Sequence, residues 1–207
     1  MTVDTLNTGL PGESLPDHAM GPRSFSWWGM VLFICTEATL FALLIASYFY
    51  LRFRGGVIWP PDGIAKPTLS TVSVMTPILL LSSIPVHLGE LAVKKGHMLR
   101  ARFGFLLGWL MGATFLIIQL AKEYPDTLKL FTPRTDVYGS LFFSLTGLHG
   151  LHVFVGLMMS LWIQIRLWKG AYTPERHVSV QNFTTYWHFV DVVWIFVFGT
   201  IYLSPHF

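Results

Sequence analysis

Five apolar stretches run through this chain, at 27–50, 70–92, 103–121, 138–165 and 183–203, with short polar connections between them. A helix rising about 1.5 Å per residue needs roughly twenty residues to cross the hydrocarbon of a bilayer, and each stretch is near that length or beyond it. Lipid offers no partner to an unpaired peptide group, so runs of this kind have helices as their solution. With 53% hydrophobic and only 12% charged residues among 207, little is left over for a soluble domain. The fold class that follows is all-α, a polytopic membrane protein built as a bundle of five transmembrane helices. Pro77 and Pro85 interrupt the second run and predict a kink there. The fourth is longer than a bilayer demands, so it should tilt or project beyond the surface.

Two regions are expected. Residues 1–24, with Pro11, Gly12, Pro16 and Pro22 among Ser, Asp and Glu, lack the basic start and apolar middle of a signal peptide and read as a disordered cytoplasmic N-terminal arm. Residues 25–207 form one transmembrane domain. The connection at 94–102 carries Lys94, Lys95, Arg100 and Arg102 without an acid, which marks it as cytoplasmic. The N-terminal arm and the 166–182 loop then lie inside, and the 51–69 and 122–137 loops and the C-terminus outside. The net charge of +3 is scattered over these short loops, so it reports topology and no nucleic-acid partner. Cys35, the single cysteine, permits neither an intrachain disulfide nor a thiolate metal site.

Glu37 stands near the middle of the first run, where an ionisable group is costly unless it finds a partner. The fourth run offers His149 and His152, and the fifth His188 and Asp191. Each pair is spaced i, i+3, which places both members on one helix face and predicts a single buried polar network of Glu37, His149, His152, His188 and Asp191. Three roles stay open for it: structural glue, proton movement, and metal or haem ligation by the histidines with the two carboxylates. The paired Glu-x-x-His motifs of a di-iron bundle are absent, as are a phosphate-binding G-x-x-x-x-G-K-[ST] loop, a G-x-S-x-G elbow and H-E-x-x-H.

Other residues have packing or surface readings. Gly104, Gly108 and Gly112 in the third run, and Ala38, Ala42 and Ala46 in the first, form small-residue stripes that predict close helix packing. His87 and Glu90 are expected as a headgroup-facing pair, and Arg166, Arg176 and His177 as a cluster attracting anionic phospholipid headgroups. Trp27, Trp28, Tyr48, Tyr50, Tyr138, Trp162, Tyr186 and Tyr202 lie near run ends, as interfacial anchors do.

TGLHGLHVFVGL at 146–157 and YWHFVDVVWIFVFGTIYL at 186–203 resemble signatures of subunit III of haem-copper respiratory oxidases, in its short five-helix bacterial form. The stretch from Glu37 through FALLIASYFYLRFRGGVIWPP, KEY at 122–124 and VYGSLFF at 137–143 match as well. The resemblance implies a non-redox core subunit of a cytochrome c or quinol oxidase in the aerobic respiratory chain, in the bacterial plasma membrane. It implies no cofactor in this chain, with haem and copper in partner subunits. The partners implied are the catalytic subunit I, subunits II and IV, and phospholipids, and the role is support of proton uptake and sustained oxygen reduction. The alternative is an independent membrane haem or metal redox protein using its own histidines.

Overall fold

The computed structural model describes residues 24–54, 59–60, 66–67 and 69–206. The expected N-terminal arm falls, apart from Ser24, outside the described residues. Among those residues the chain is helical without strands. Helix α1 spans Phe25–Arg54, α2 Leu69–Lys94 and α3 Met98–Ile118, which continues through a π-helical turn, Gln119–Glu123, into α4, Tyr124–Leu130. Helix α5 spans Val137–Trp168 and α6 Val178–Phe198, followed by a second π-helical turn, Gly199–Leu203, and a 3₁₀ turn, Ser204–His206. These elements give five helical units long and apolar enough to cross a membrane, the third being Met98–Leu130 and the fifth Val178–His206.

The helices overrun the apolar stretches because the backbone has no reason to unwind where hydrophobicity stops. The third unit begins five residues before its stretch and takes in Arg100 and Arg102, the latter turning its guanidinium onto the end of α5. Helix α2 continues through both Pro77 and Pro85. Glycines close two of the ends. Gly96 (φ 76°) and Gly170 (φ 70°) adopt the left-handed conformation after α2 and α5. At the first, His97 N–H donates to the Ala92 carbonyl at 2.8 Å and Gly96 N–H to that of Val93 at 3.0 Å. That six-to-one closure satisfies carbonyls the helix leaves unpaired.

The predicted glycine stripe on α3 is a packing seam. A methyl group on Gly104 would sit 2.7 Å from the Pro85 carbonyl oxygen, one on Gly108 would meet Val86, and one on Gly112 would sit 2.6 Å from the Trp187 ring. Gly156 of α5 faces the same indole from another side at 2.8 Å, so Trp187 is inserted between two glycines. Its Nε1–H donates to Ser82 Oγ at 2.9 Å, and Trp194 Nε1–H donates to Thr76 Oγ1 at 3.0 Å, each tying α6 to α2. The core is therefore aromatic, glycine-spaced and cross-linked by small hydroxyls.

Helix α1 differs. Only Phe41 and Tyr48 are buried along its thirty residues. Ala38, Ala42 and Ala46 are exposed, so the alanine stripe meets no neighbour within this chain. Small residues permit close approach without supplying a partner, and here the side of α1 that meets α5 and α6 carries Glu37, Phe41 and Tyr48 instead. The anchor assignments also divide. Trp28, Tyr50 and Trp162 are exposed, whereas Tyr48, Tyr138, Tyr186 and Tyr202 are at most 1% exposed and belong to the core. Position near a run's end did not reveal that these rings face inward.

Candidate functional site

The five polar residues predicted as one network separate into three environments. Glu37 meets His152: the Oε2–Nε2 distance is 3.1 Å and joins α1 to α5 roughly 18 Å along α1 from its start. The other ring nitrogen of His152 lies 2.8 Å from the Leu148 carbonyl, one turn back, which orients the imidazole toward α1. The carboxylate side chain is 23% exposed and the imidazole 10%, so the pair lies at the edge of the bundle. Phe41 packs edge-on against His152, and Tyr186 O–H donates to the His152 carbonyl at 3.1 Å.

His149 takes no part in this pair. It is fully buried, 4.8 Å from the ring of Trp194 and edge-on to Phe115, and both its ring nitrogens lack a hydrogen-bond partner. An i, i+3 spacing turns the helix by about 300°, leaving roughly 60° between side chains. On a helix wedged between neighbours, that angle is enough to send His152 to α1 and His149 to α3 and α6.

His188 and Asp191 remain together, and both meet a residue that sequence reasoning overlooked. Ser83 of α2 lies with its Oγ 2.9 Å from His188 Nδ1, and it is hydrogen-bonded to Asp191 Oδ2. Asp191 is buried, and its Oδ1 has no partner. His87, exposed on α2, places its ring 6.0 Å from that of His188. Glu90 is neither headgroup-facing nor paired with His87: it is 8% exposed and joins Lys94 at 2.6 Å. Lys94 is four residues on, so the ion pair forms on α2 alone. The available signal for Ser83 was a pair of serines, Ser82 and Ser83, inside an apolar run.

A second polar site also escaped the residue-level reading. In the π-helical turn after α3, Gln119 and Glu123 are at most 1% exposed. Gln119 Nε2–H donates to the Thr146 carbonyl at 3.1 Å and to Tyr124 Oη at 3.3 Å, while Thr127 Oγ1 donates to Glu123 Oε1 at 3.4 Å. One extra residue per turn redirects side chains inward that a regular helix would send elsewhere. Its traces were the KEY match at 122–124 and the Gln-x-x-x-Glu spacing at the end of the third run.

Among the described residues no three His, Cys, Asp or Glu side chains converge as ligands for a metal ion. His149, His152 and His188 stand in different environments, so they do not form a shared donor set.

At the α5–α6 connection, Arg166 and Arg176 line a pocket of about 420 Å³ with Tyr172 and Glu175. Arg166 lies 5.7 Å from the centre of the Tyr172 ring. The Thr173 hydroxyl holds the Glu175 carboxyl below the ordinary carboxylate range, so the pocket carries both signs of charge. His177 does not line it. Its Nε2 is 3.1 Å from the Gln181 amide nitrogen.

Comparison with known proteins gives one consistent result. The profile of the family described as "Cytochrome c oxidase subunit III" matches residues 12–205. A protein named cytochrome c oxidase subunit 3 from Thermostichus vulcanus is 34% identical over 210 residues, covering 100% of this chain and 98% of the relative. Proteins of the same name from Synechocystis and Lycodon semicarinatus are each 34% identical; they cover 98% and 89% of this chain, and the matches span 85% and 72% of those relatives.

Proposed function

Because the chain belongs to the cytochrome c oxidase subunit III family, we propose that it is a non-redox core subunit of a haem-copper terminal oxidase, packed against the catalytic subunit and supporting proton uptake and sustained oxygen reduction. In this reading haem and copper reside in partner subunits, the partners are the catalytic subunit I with subunits II and IV, and this multi-pass chain lies in a bacterial plasma membrane. Its N-terminus and α2–α3 turn face the cytoplasm.

The observation carrying the proposal is the Glu37–His152 contact. It is the polar tie midway along α1, a helix whose remaining surface is largely open to lipid or to other subunits. A carboxylate and an imidazole 3.1 Å apart can share a proton, and their partial exposure leaves a route for exchange. The alternative of an independent redox protein has no specific support in the arrangement of the described residues, where no three His, Cys, Asp or Glu side chains converge. We assign Arg166, Arg176 and His177 to a phospholipid contact. Arg166 and Arg176 outnumber the one acid of the pocket they line, Glu175, so the expected headgroup is anionic.

The test uses the assembled oxidase carrying Glu37→Gln or Glu37→Leu. The glutamine variant keeps shape and hydrogen bonding, so it should assemble but take up protons more slowly and inactivate sooner during turnover. The leucine variant should also associate more weakly. Proton uptake and turnover lifetime unchanged in both variants, or a chain that does not copurify with a haem-bearing subunit, would overturn the proposal.

A further inference from the structure

The α2–α3 turn carries two kinds of cation. Lys94 is committed to Glu90 at 2.6 Å. Arg102 donates through Nη2 to the Leu167 carbonyl at 3.2 Å and lies 4.6 Å above the Trp168 ring, bracing the end of α5. Lys95 and Arg100 have no such partner among the described residues. With His97, these two line the mouth of a groove of about 510 Å³ between α2 and α3.

Below that mouth the groove is apolar and open on the outer surface of the bundle. Its walls include Leu88, Phe103 and Leu107, which are 57%, 60% and 52% exposed. Pro85 and Gly104 also line it, at the point where α2 and α3 approach so closely that a methyl group on Gly104 would fall 2.7 Å from the Pro85 carbonyl. No acid lines it. Helix α3 starts beside it with no acidic residue in its first turn and no side-chain cap, so the positive end of its dipole is uncompensated.

We propose that this groove binds one anionic phospholipid, with the phosphate held by Lys95, Arg100 and His97 and an acyl chain lying along Leu88, Phe103 and Leu107. Charge complementarity selects this occupant. A topology signal requires only that basic residues be present in the loop, whereas here the cations without partners converge on a groove that continues into the hydrocarbon. No acid stands beside these cations, whereas the Arg166–Arg176 pocket also holds Glu175.

The test incorporates the full chain, with the subunits that accompany it, into phosphatidylcholine nanodiscs. A trace of photoactivatable phosphatidylglycerol, or of phosphatidylcholine bearing the same acyl-chain label, is then added. The phosphatidylglycerol probe should label the segments holding Leu88 and Phe103–Leu107 several-fold more than the phosphatidylcholine probe. Lys95→Gln with Arg100→Gln should lower that labelling by about an order of magnitude or more, from the attraction each cation contributes near an anionic headgroup. Arg166→Gln with Arg176→Gln should leave it unchanged. Equal labelling by the two probes in the wild-type protein overturns the proposal without requiring any variant to fold. Labelling insensitive to Lys95 and Arg100, or cross-linking of Lys95 to a polypeptide of another subunit, overturns it equally.

Discussion

Helix α1 and the α3–α6 interface are both apolar, yet they are held in different ways. At α3–α6, glycines let an indole enter until a single added methyl group would collide with it, and the indole's N–H is satisfied by Ser82. Helix α1 has no such interlocking. It is tied at three levels: Ser26 to Asn182 at 2.9 Å, Glu37 to His152 at 3.1 Å, and Tyr48 to Ser204 at 2.9 Å. Hydrophobic burial gives helices little reason to associate in lipid, because acyl chains are as apolar as leucine; what remains is close packing and polar pairing. The core depends chiefly on the first and α1 on the second.

The largest effect expected from breaking this contrast is at Gly112. Gly112→Val forces atoms into the space of Trp187 and should cost about 3 kcal/mol, by the usual penalty for overpacking. A large drop in the thermal unfolding midpoint in detergent checks this, with α1 and the core loosening together.

Glu37→Leu should cost less, about 1–2 kcal/mol, and only locally, because the pair is partly exposed and the ties at Asn182 and Ser204 remain. Hydrogen exchange is the measurement: amides of α1 should exchange faster while those of α2 and α3 stay protected. Loss of protection throughout the bundle would show that α1 is as integral as the core and would end the comparison.

The smallest effect sharpens it. Ser82→Ala leaves a fully buried indole N–H unsatisfied and should cost about 1 kcal/mol or somewhat more, and Ser83→Ala, which removes a hydrogen bond from both His188 and the buried Asp191 carboxyl, should cost about as much. Unfolding midpoints of the two variants compare them directly. If Ser83→Ala proves the more damaging, the His188–Asp191 cluster contributes to holding the core.

Much of this architecture was legible because lipid imposes a simple rule. Five apolar runs gave five spanning units, and the glycine period on α3 identified a packing seam. The boundaries erred where the apolar signal and the helical backbone end in different places, as at Arg100 and Arg102. The candidate site was legible as a set of residues but not as an arrangement. Glu37 and His152 meet, His149 turns away, Ser83 and Gln119 were not singled out, and Glu123 entered only within the KEY motif.

What the sequence determined by itself is what depends on one helix at a time: length, hydrophobicity, and the cost of a carboxylate at mid-depth. What only the tertiary structure decided is how each helix is rotated. That angle depends on how side chains of several helices interlock, on a π-helical turn that shifts the register after α3, and on which hydroxyl lies opposite a given carboxylate. Two residues three positions apart on α5 therefore carry the same imidazole into a sealed aromatic pocket and into a polar contact with Glu37.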